Sequence, residues 1–205
     1  MASSIYSYAI ADGHGLPHDP LPSILGPRPI GWISTKGSDG KLNLAPYSFF
    51  NIINYRPPLL VFTSVGKKDS VRNAEATGNF VYNLATRPLA EFVNASSTEI
   101  PGVQEFEATG LTPADSQIVS APRVAESPVA LECQVTSIQQ LTGLDGSSLD
   151  TWMVVGQVVA AHIDSKFLKD GIYDTAAAQP ILRAGGPSDY FEVLKSGLFH
   201  MTRPK

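Results

Sequence analysis

The residues best suited to chemistry in this chain fall in two stretches close together. The first reads Arg28-Pro29-Ile30-Gly31-Trp32-Ile33-Ser34-Thr35, then Asn43-Leu44-Ala45-Pro46-Tyr47-Ser48-Phe49-Phe50-Asn51. The second is Gly66-Lys67-Lys68-Asp69-Ser70. Trp32, Tyr47, Phe49 and Phe50 could line a flat apolar slot, with Ser34, Thr35, Ser48 and Asn51 offering hydrogen bonds along it. Asp69 is expected to cap a helix whose first-turn N–H groups and dipole favour an anion. Lys68 and the Ser70 hydroxyl complete such a cradle. A flat slot beside a phosphate anchor is what a flavin mononucleotide requires. Each half alone reads more simply as core aromatics or as a solvated turn; their coincidence within one short stretch carries the argument.

Other chemistries lack their motifs. There is no Gly-x-Ser-x-Gly elbow, no Walker loop and no Gly-x-Gly-x-x-Gly unit for a dinucleotide. His14 and His18 sit among Gly and Pro, and His162 and His200 are isolated, so no metal site is expected. His162 reads as a structural or rim residue. Glu105, Glu107, Glu126 and Glu132 show no pairing and read as solvated. The single cysteine, Cys133, lies in an alternating run and reads as a small buried side chain. One thiol permits no internal disulfide and fits a reducing, cytoplasmic setting.

The elements that must position these groups are mainly strands. Ile30–Thr35 is a strand, Gly37–Gly40 a turn, and 43–53 a second strand. Leu59–Ser64 is a third, apolar throughout as if buried on both faces. Asp69–Thr77 reads as a helix ended by Gly78, Asn79–Ala85 as a strand and 89–94 as helical. Residues 96–122 form a long irregular excursion. Val129–Leu141 and Trp152–Ile163 are long alternating strands joined by a turn near Gly143-Leu144-Asp145-Gly146. Ile181–Arg183 and Ser196–Met201 are short pieces. With Pro17, Pro20, Pro22, Pro27 and Pro29, the segment before the first strand is expected to be an extended arm, residues 1–27 of a single 205-residue domain. This pattern favours a closed antiparallel barrel with appended short helices.

Composition agrees. Hydrophobic residues make up 43% and charged residues 17% of the chain, enough for a substantial core. A net charge of −4 argues against a nucleic-acid binder. No apolar run approaches the length of a membrane helix, and the first residues do not read as a signal peptide.

The blocks PRPIGWISTKGSDGKLNLAPYSFFN, PPLLVFTS, KDSVRNAEATGNFVYNLA, VALECQV, GQVVAAHID and ILRAGGPSDY resemble, in order, the flavin reductase-like, FMN-binding split-barrel family. The resemblance spans nearly the whole chain. It implies a mainly β fold, a Greek-key split barrel of about six antiparallel strands with peripheral short helices, assembled as a homodimer. It implies FMN as cofactor, with NADH or NADPH as co-substrate in an NAD(P)H:flavin oxidoreductase. A flavin-dependent oxygenase is a possible partner. The alternatives are a flavoredoxin-like electron carrier or an FMN enzyme acting on an organic substrate. By the same resemblance, Ala45, Pro46, Tyr47 and Ser48 would face the flavin ring beside Trp32. Ser34, Thr35 and Asn51 would lie near its edge or the ribityl chain. Lys68 and Ser70 would hold the phosphate, with Asp69 capping and Ser64 close by. Residues 94–97 and 183–190 would approach the flavin of a partner subunit. Val103, Phe106, Leu111, Ile181, Leu182, Phe191 and Leu194 are candidates for the two-fold interface.

Overall fold

The computed structural model describes residues 4–98, 100 and 102–204. In chain order the helices are α1 (Leu21–Ile24), α2 (Asp69–Thr77), α3 (Ala90–Ala95) and α4 (Glu105–Thr109). The first strands are β1 (Arg28–Pro29), β2 (Gly31–Lys36), β3 (Leu42–Tyr47), β4 (Phe50–Tyr55), β5 (Pro58–Val65) and β6 (Asn79–Leu84). Two-residue strands β7 (Pro113–Ala114) and β8 (Arg123–Val124) pair within the excursion. The long strands β9 (Val129–Thr142) and β10 (Ser148–Ile163) follow, then β11 (Leu168–Lys169), β12 (Ile172–Tyr173), β13 (Ile181–Arg183) and β14 (Tyr190–Glu192).

Seven strands form one antiparallel sheet in the order β3-β2-β6-β9-β10-β5-β4. The edge strands β3 and β4 are consecutive in the chain, parted only by Ser48 and Phe49. Residues 43–53, expected as one strand, therefore form two halves of one run. The first half pairs with β2 and the second with β5, and a Thr63 N–H to Phe49 C=O bond of 2.9 Å carries the pairing through the break. That shared run closes a six-membered split barrel.

Alternation along β2 sends Ile33 inward and Trp32 outward. The interior packs Ile33, Leu60, Phe62, Phe80, Cys133 and Val154 with Val71 and Ala74 of α2. Two glycines make room for rings. A Cβ on Gly31 would stand 2.5 Å from the Phe50 ring, and one on Gly156 2.4 Å from the Phe80 ring. Outside the barrel, Trp32, Leu44, Leu89, Val93, Phe106, Leu111 and Ile181 form a second core beneath α3 and α4. This second layer explains why Gly31 to Thr35 are all buried. It also corrects the interface candidates, because Phe106, Leu111 and Ile181 are core residues of this chain.

α2 links β5 to β6, which are not neighbours in the sheet, and packs against β2, β3, β6, β9 and β10. Val71 and Ala74, three residues apart, form the face that enters the core. Gly78, at φ 70° and ψ 17°, ends the helix in the left-handed conformation. The arm before β2 is not simply extended, because Leu21–Ile24 makes one helical turn and Arg28–Pro29 pairs with β13. Near the C-terminus, regular structure in the expected 196–201 piece is limited to the 3-10 turn Lys195–Gly197. Among the described residues no helix is long and apolar enough to cross a membrane.

Candidate functional site

A cleft of about 680 Å³ opens where the N-terminus of α2 meets the outer edge of β3. β3 contributes Asn43, Ala45, Pro46 and Tyr47. The α2 end contributes Lys67, Lys68, Asp69, Ser70 and Arg72, and the excursion contributes Ser96, Ser97, Thr98, Val103 and Glu105.

The sequence placed the helix cap one residue late. Lys68, extended at φ −73° and ψ 178°, is the N-cap, and its own side chain makes no capping hydrogen bond to the helix. Asp69 is instead the first helical residue, and its carboxylate meets the Arg72 guanidinium one turn on. The Lys68 carbonyl accepts from the N–H groups of Val71 and Arg72. The amides of Asp69 and Ser70 thus precede the hydrogen-bonded ladder at the cleft wall. First-turn amides of this kind, aligned with the helix dipole, are the donors that an anion can use.

A buried polar chain fixes that end of the helix. Asn43 Nδ2 donates to Ser70 Oγ at 2.8 Å, and Asn73 Nδ2 to Thr35 Oγ1 at 3.1 Å. The Tyr47 phenol interacts with the Ser70 and Ser64 hydroxyls; burial raises its pKa while these two contacts oppose the rise. Ser64 Oγ in turn donates to the Gly66 carbonyl at 2.8 Å, which shapes the β5–α2 loop. Thr35 and Ser64 therefore support the cleft from behind and do not line it.

The remaining expected residues divide as follows. Trp32 is fully buried and donates through Nε1 to Ser96 Oγ at 2.9 Å, so it positions a cleft residue without entering the cleft. Ser34 is buried and donates to the Pro122 carbonyl. Asn51 is exposed on β4, its side-chain oxygen taken by the Ile52 N–H. Ser48 lines a separate cleft with Arg28 and Arg183. Phe50 stacks on Tyr82 with ring centroids 4.9 Å apart, and Phe49 lies under Arg28. The aromatics are thus mainly packing residues. Ser96 and Ser97, expected near a partner's site, line the cleft of their own chain.

Two carboxylates read as solvated are buried. Glu132 is fully buried and accepts from the N–H groups of Gln117, Ile118 and Val119 at 2.7–3.0 Å, and from His162 Nε2 at 2.6 Å. Burial opposes its charge, but these donors outweigh burial and hold its pKa at about 2. Glu105 is 9% exposed and accepts the Leu44 N–H at 3.1 Å. Here burial prevails and raises the pKa, helped by the charge of Asp69, against only the N–H groups of Glu105 and Leu44. Cys133 is buried, and burial pushes its thiol pKa up, which leaves it unreactive.

A family model described as the flavin reductase like domain matches residues 25–181. The chain belongs to that family. It is 36% identical over 167 residues to the uncharacterized protein BH2278 of Halalkalibacterium halodurans, covering 78% of this chain and 79% of that one. Among solved structures it is similar to nitrilotriacetate monooxygenase component B from Bacillus cereus, with TM-score 0.82 and 27% identity over 98% of each chain. It is also similar to the 2-nitrobenzoate 2-nitroreductase NbaA of Pseudomonas fluorescens, with TM-score 0.79 and 28% identity over 90% of this chain and 88% of that one. The cleft at α2 and β3 gathers two leading amides, a buried hydroxyl and adjacent lysines, donors that could hold a phosphate.

Proposed function

We propose that this chain binds FMN in the cleft between α2 and β3 and catalyses NAD(P)H-dependent flavin reduction. The observation that carries this reading is the N-terminus of α2 opening on the cleft, flanked by Lys68 and held in place by the Asn43–Ser70 hydrogen bond. Lys68, the Ser70 hydroxyl and the first-turn amides would hold the phosphate. Ala45, Pro46 and Tyr47 would run alongside the rest of the cofactor. The bound flavin supplies the redox chemistry, accepting a hydride from the nicotinamide. The protein's task is to hold, orient and shield. No acid–base residue is needed in that scheme.

Nicotinamide affinity is expected to be modest, since the chain carries no Gly-x-Gly-x-x-Gly unit. Arg28 and Arg183, candidate readers of a 2′-phosphate, are committed to backbone carbonyls: Arg28 to those of Pro22 and Ser48, Arg183 to those of Ala184, Pro187 and Asp189. Lys67 pairs with Glu75. Weak discrimination between NADH and NADPH follows.

The likeness to a monooxygenase component B favours a flavin-dependent oxygenase as consumer of the reduced flavin. The likeness to a nitroreductase favours, as a second reading, an organic substrate reduced in the same cleft. A homodimer would cover the exposed apolar residues Phe49, Ile52, Ile53 and Tyr55 around edge strand β4. Anaerobic addition of NADH or NADPH should bleach bound FMN, and free flavin added afterwards should turn over. If neither nucleotide bleaches it, the reductase reading fails. Bleaching with turnover of a nitroaromatic but not of free flavin would favour the second reading.

A further inference from the structure

Glu105 is a buried carboxylate on the wall of a cleft whose other features suit an anion. It stands in that wall with Lys67, Lys68, Asp69 and Arg72, the charged groups at the α2 end. β3 brings the Leu44 N–H and no charge to it. On its own helix Glu107 is exposed, and Glu91 of neighbouring α3 lines a different cleft. Lys67 is engaged with Glu75 and Arg72 with Asp69, so neither is assigned to Glu105 as an ion-pair partner. A carboxylate in this position repels the ligand that the helix terminus attracts.

We infer that Glu105 is a proton-linked gate on the phosphate end of the cleft, and that an anion held at the α2 N-terminus is accompanied by uptake of a proton onto the Glu105 carboxylate. The inference rests on the reading of this cleft as an FMN site. Its basis is physical. Glu105 is buried, so water screens it less than a surface carboxylate. Its ionised form has two weakening influences already, burial and the Asp69 charge, as its raised pKa reflects. A phosphate dianion at the helix terminus adds a third of the same sign. The cheapest response is protonation: solvent supplies one proton, an O–H bond forms on the carboxyl group, and no other bond changes. A protonated carboxyl then carries a donor where it carried a charge, so a repelling group becomes one able to hydrogen-bond. Riboflavin, with no phosphate, makes no such demand.

Calorimetric titration tests this. FMN and riboflavin are added to the full chain and to Glu105→Gln between pH 6.5 and 8, in two buffers of different ionisation enthalpy. Gln keeps an acceptor for the Leu44 N–H, so the wall is preserved. The expected result is net proton uptake when FMN binds the natural chain, with none for riboflavin and a correspondingly smaller value in Glu105→Gln. FMN affinity of the natural chain should fall several-fold across that range, while the variant's stays flatter. The difference between proteins cancels the ionisation of the FMN phosphate itself. Equal uptake in both proteins overturns the gate while leaving the FMN reading intact. Absence of FMN binding to the natural chain overturns the FMN reading and the gate together. If Glu105→Gln does not fold, the carboxyl resonance of Glu105 in the natural chain, followed by NMR against pH, decides: an upward move of its titration when FMN binds supports the gate, and an unmoved titration refutes it.

Discussion

Two buried glutamates grip the same excursion, residues 96–122, at opposite ends, and their carboxyl pKa values are displaced in opposite directions. Glu132 sits on β9 and receives four donors, three of them backbone N–H groups of residues 117–119. Glu105 belongs to the excursion itself and reaches across to β3 for the Leu44 N–H. Burial penalises both charges. Four donors overcome the penalty at Glu132, whereas the N–H groups of Glu105 and Leu44 do not overcome it at Glu105, and its pKa rises. The fuller donor set at Glu132 separates a closed structural clamp from a responsive group beside a ligand cleft.

The strongest way to break the contrast is to empty the clamp. Glu132→Ala strands three backbone N–H groups and should cost at least about 3 kcal/mol by denaturant unfolding; a loss below about 1 kcal/mol would show that the clamp stabilises nothing. Acid probes the same site without mutation. Because the folded pKa of Glu132 lies below its ordinary value of 4.5, its contribution is fully present above that value. It should disappear as pH falls from 4.5 towards 2, by up to about 3 kcal/mol, and this acid limb should be shallower in Glu132→Gln.

At the cleft end, Lys68→Ala should weaken FMN by about one to two decades through loss of a charge-assisted phosphate contact. Riboflavin should change by less than about twofold, and equal losses for both ligands would remove Lys68 from the phosphate. His162→Ala takes one of the four donors from Glu132 and should cost about 1 kcal/mol of stability. Its flavin turnover should match the natural chain; abolished turnover with flavin still bound would place an essential acid–base group at His162. The smallest effect is expected for Glu105→Gln. A raised folded pKa contributes stability below the unfolded value and loses it as pH rises, so the variant's melting temperature at pH 8 should equal or slightly exceed that of the natural chain. A marked drop would mean that the charge at Glu105 is stabilising.

Local signals were legible in the sequence. The helix spans Asp69–Thr77 and stops at Gly78 as expected, with the cap one residue earlier than Asp69, and the long strands differ from their expected limits by a few residues at one end. The cleft residues on β3 and α2 were also legible, because one short stretch contains them. What escaped depends on contacts between distant parts of the chain. Leu44 and Glu105 are 61 residues apart, and Glu132 and His162 are 30 apart; neither pair leaves a spacing pattern. Trp32 read as a slot residue because nothing in β2 reveals that α3 and α4 cover its outer face. The break at Ser48-Phe49 was hidden by strand-forming residues on both sides.

That break has a consequence for how the molecule assembles. Residues 31–84 can pair β6 with β2, β2 with β3, and β4 with β5, which gives an open ribbon with two unsatisfied rims, β6 and β5. The hairpin of β9 and β10 satisfies both at once, β9 against β6 and β10 against β5. Closing the circle pairs strands that are far apart in sequence, and such closures are slow. In pulse-labelled refolding the amides of β9 and β10 should gain protection together and last. The ribbon that waits for them exposes two strand rims in the nascent chain, a state with an aggregation hazard that ends when the hairpin arrives.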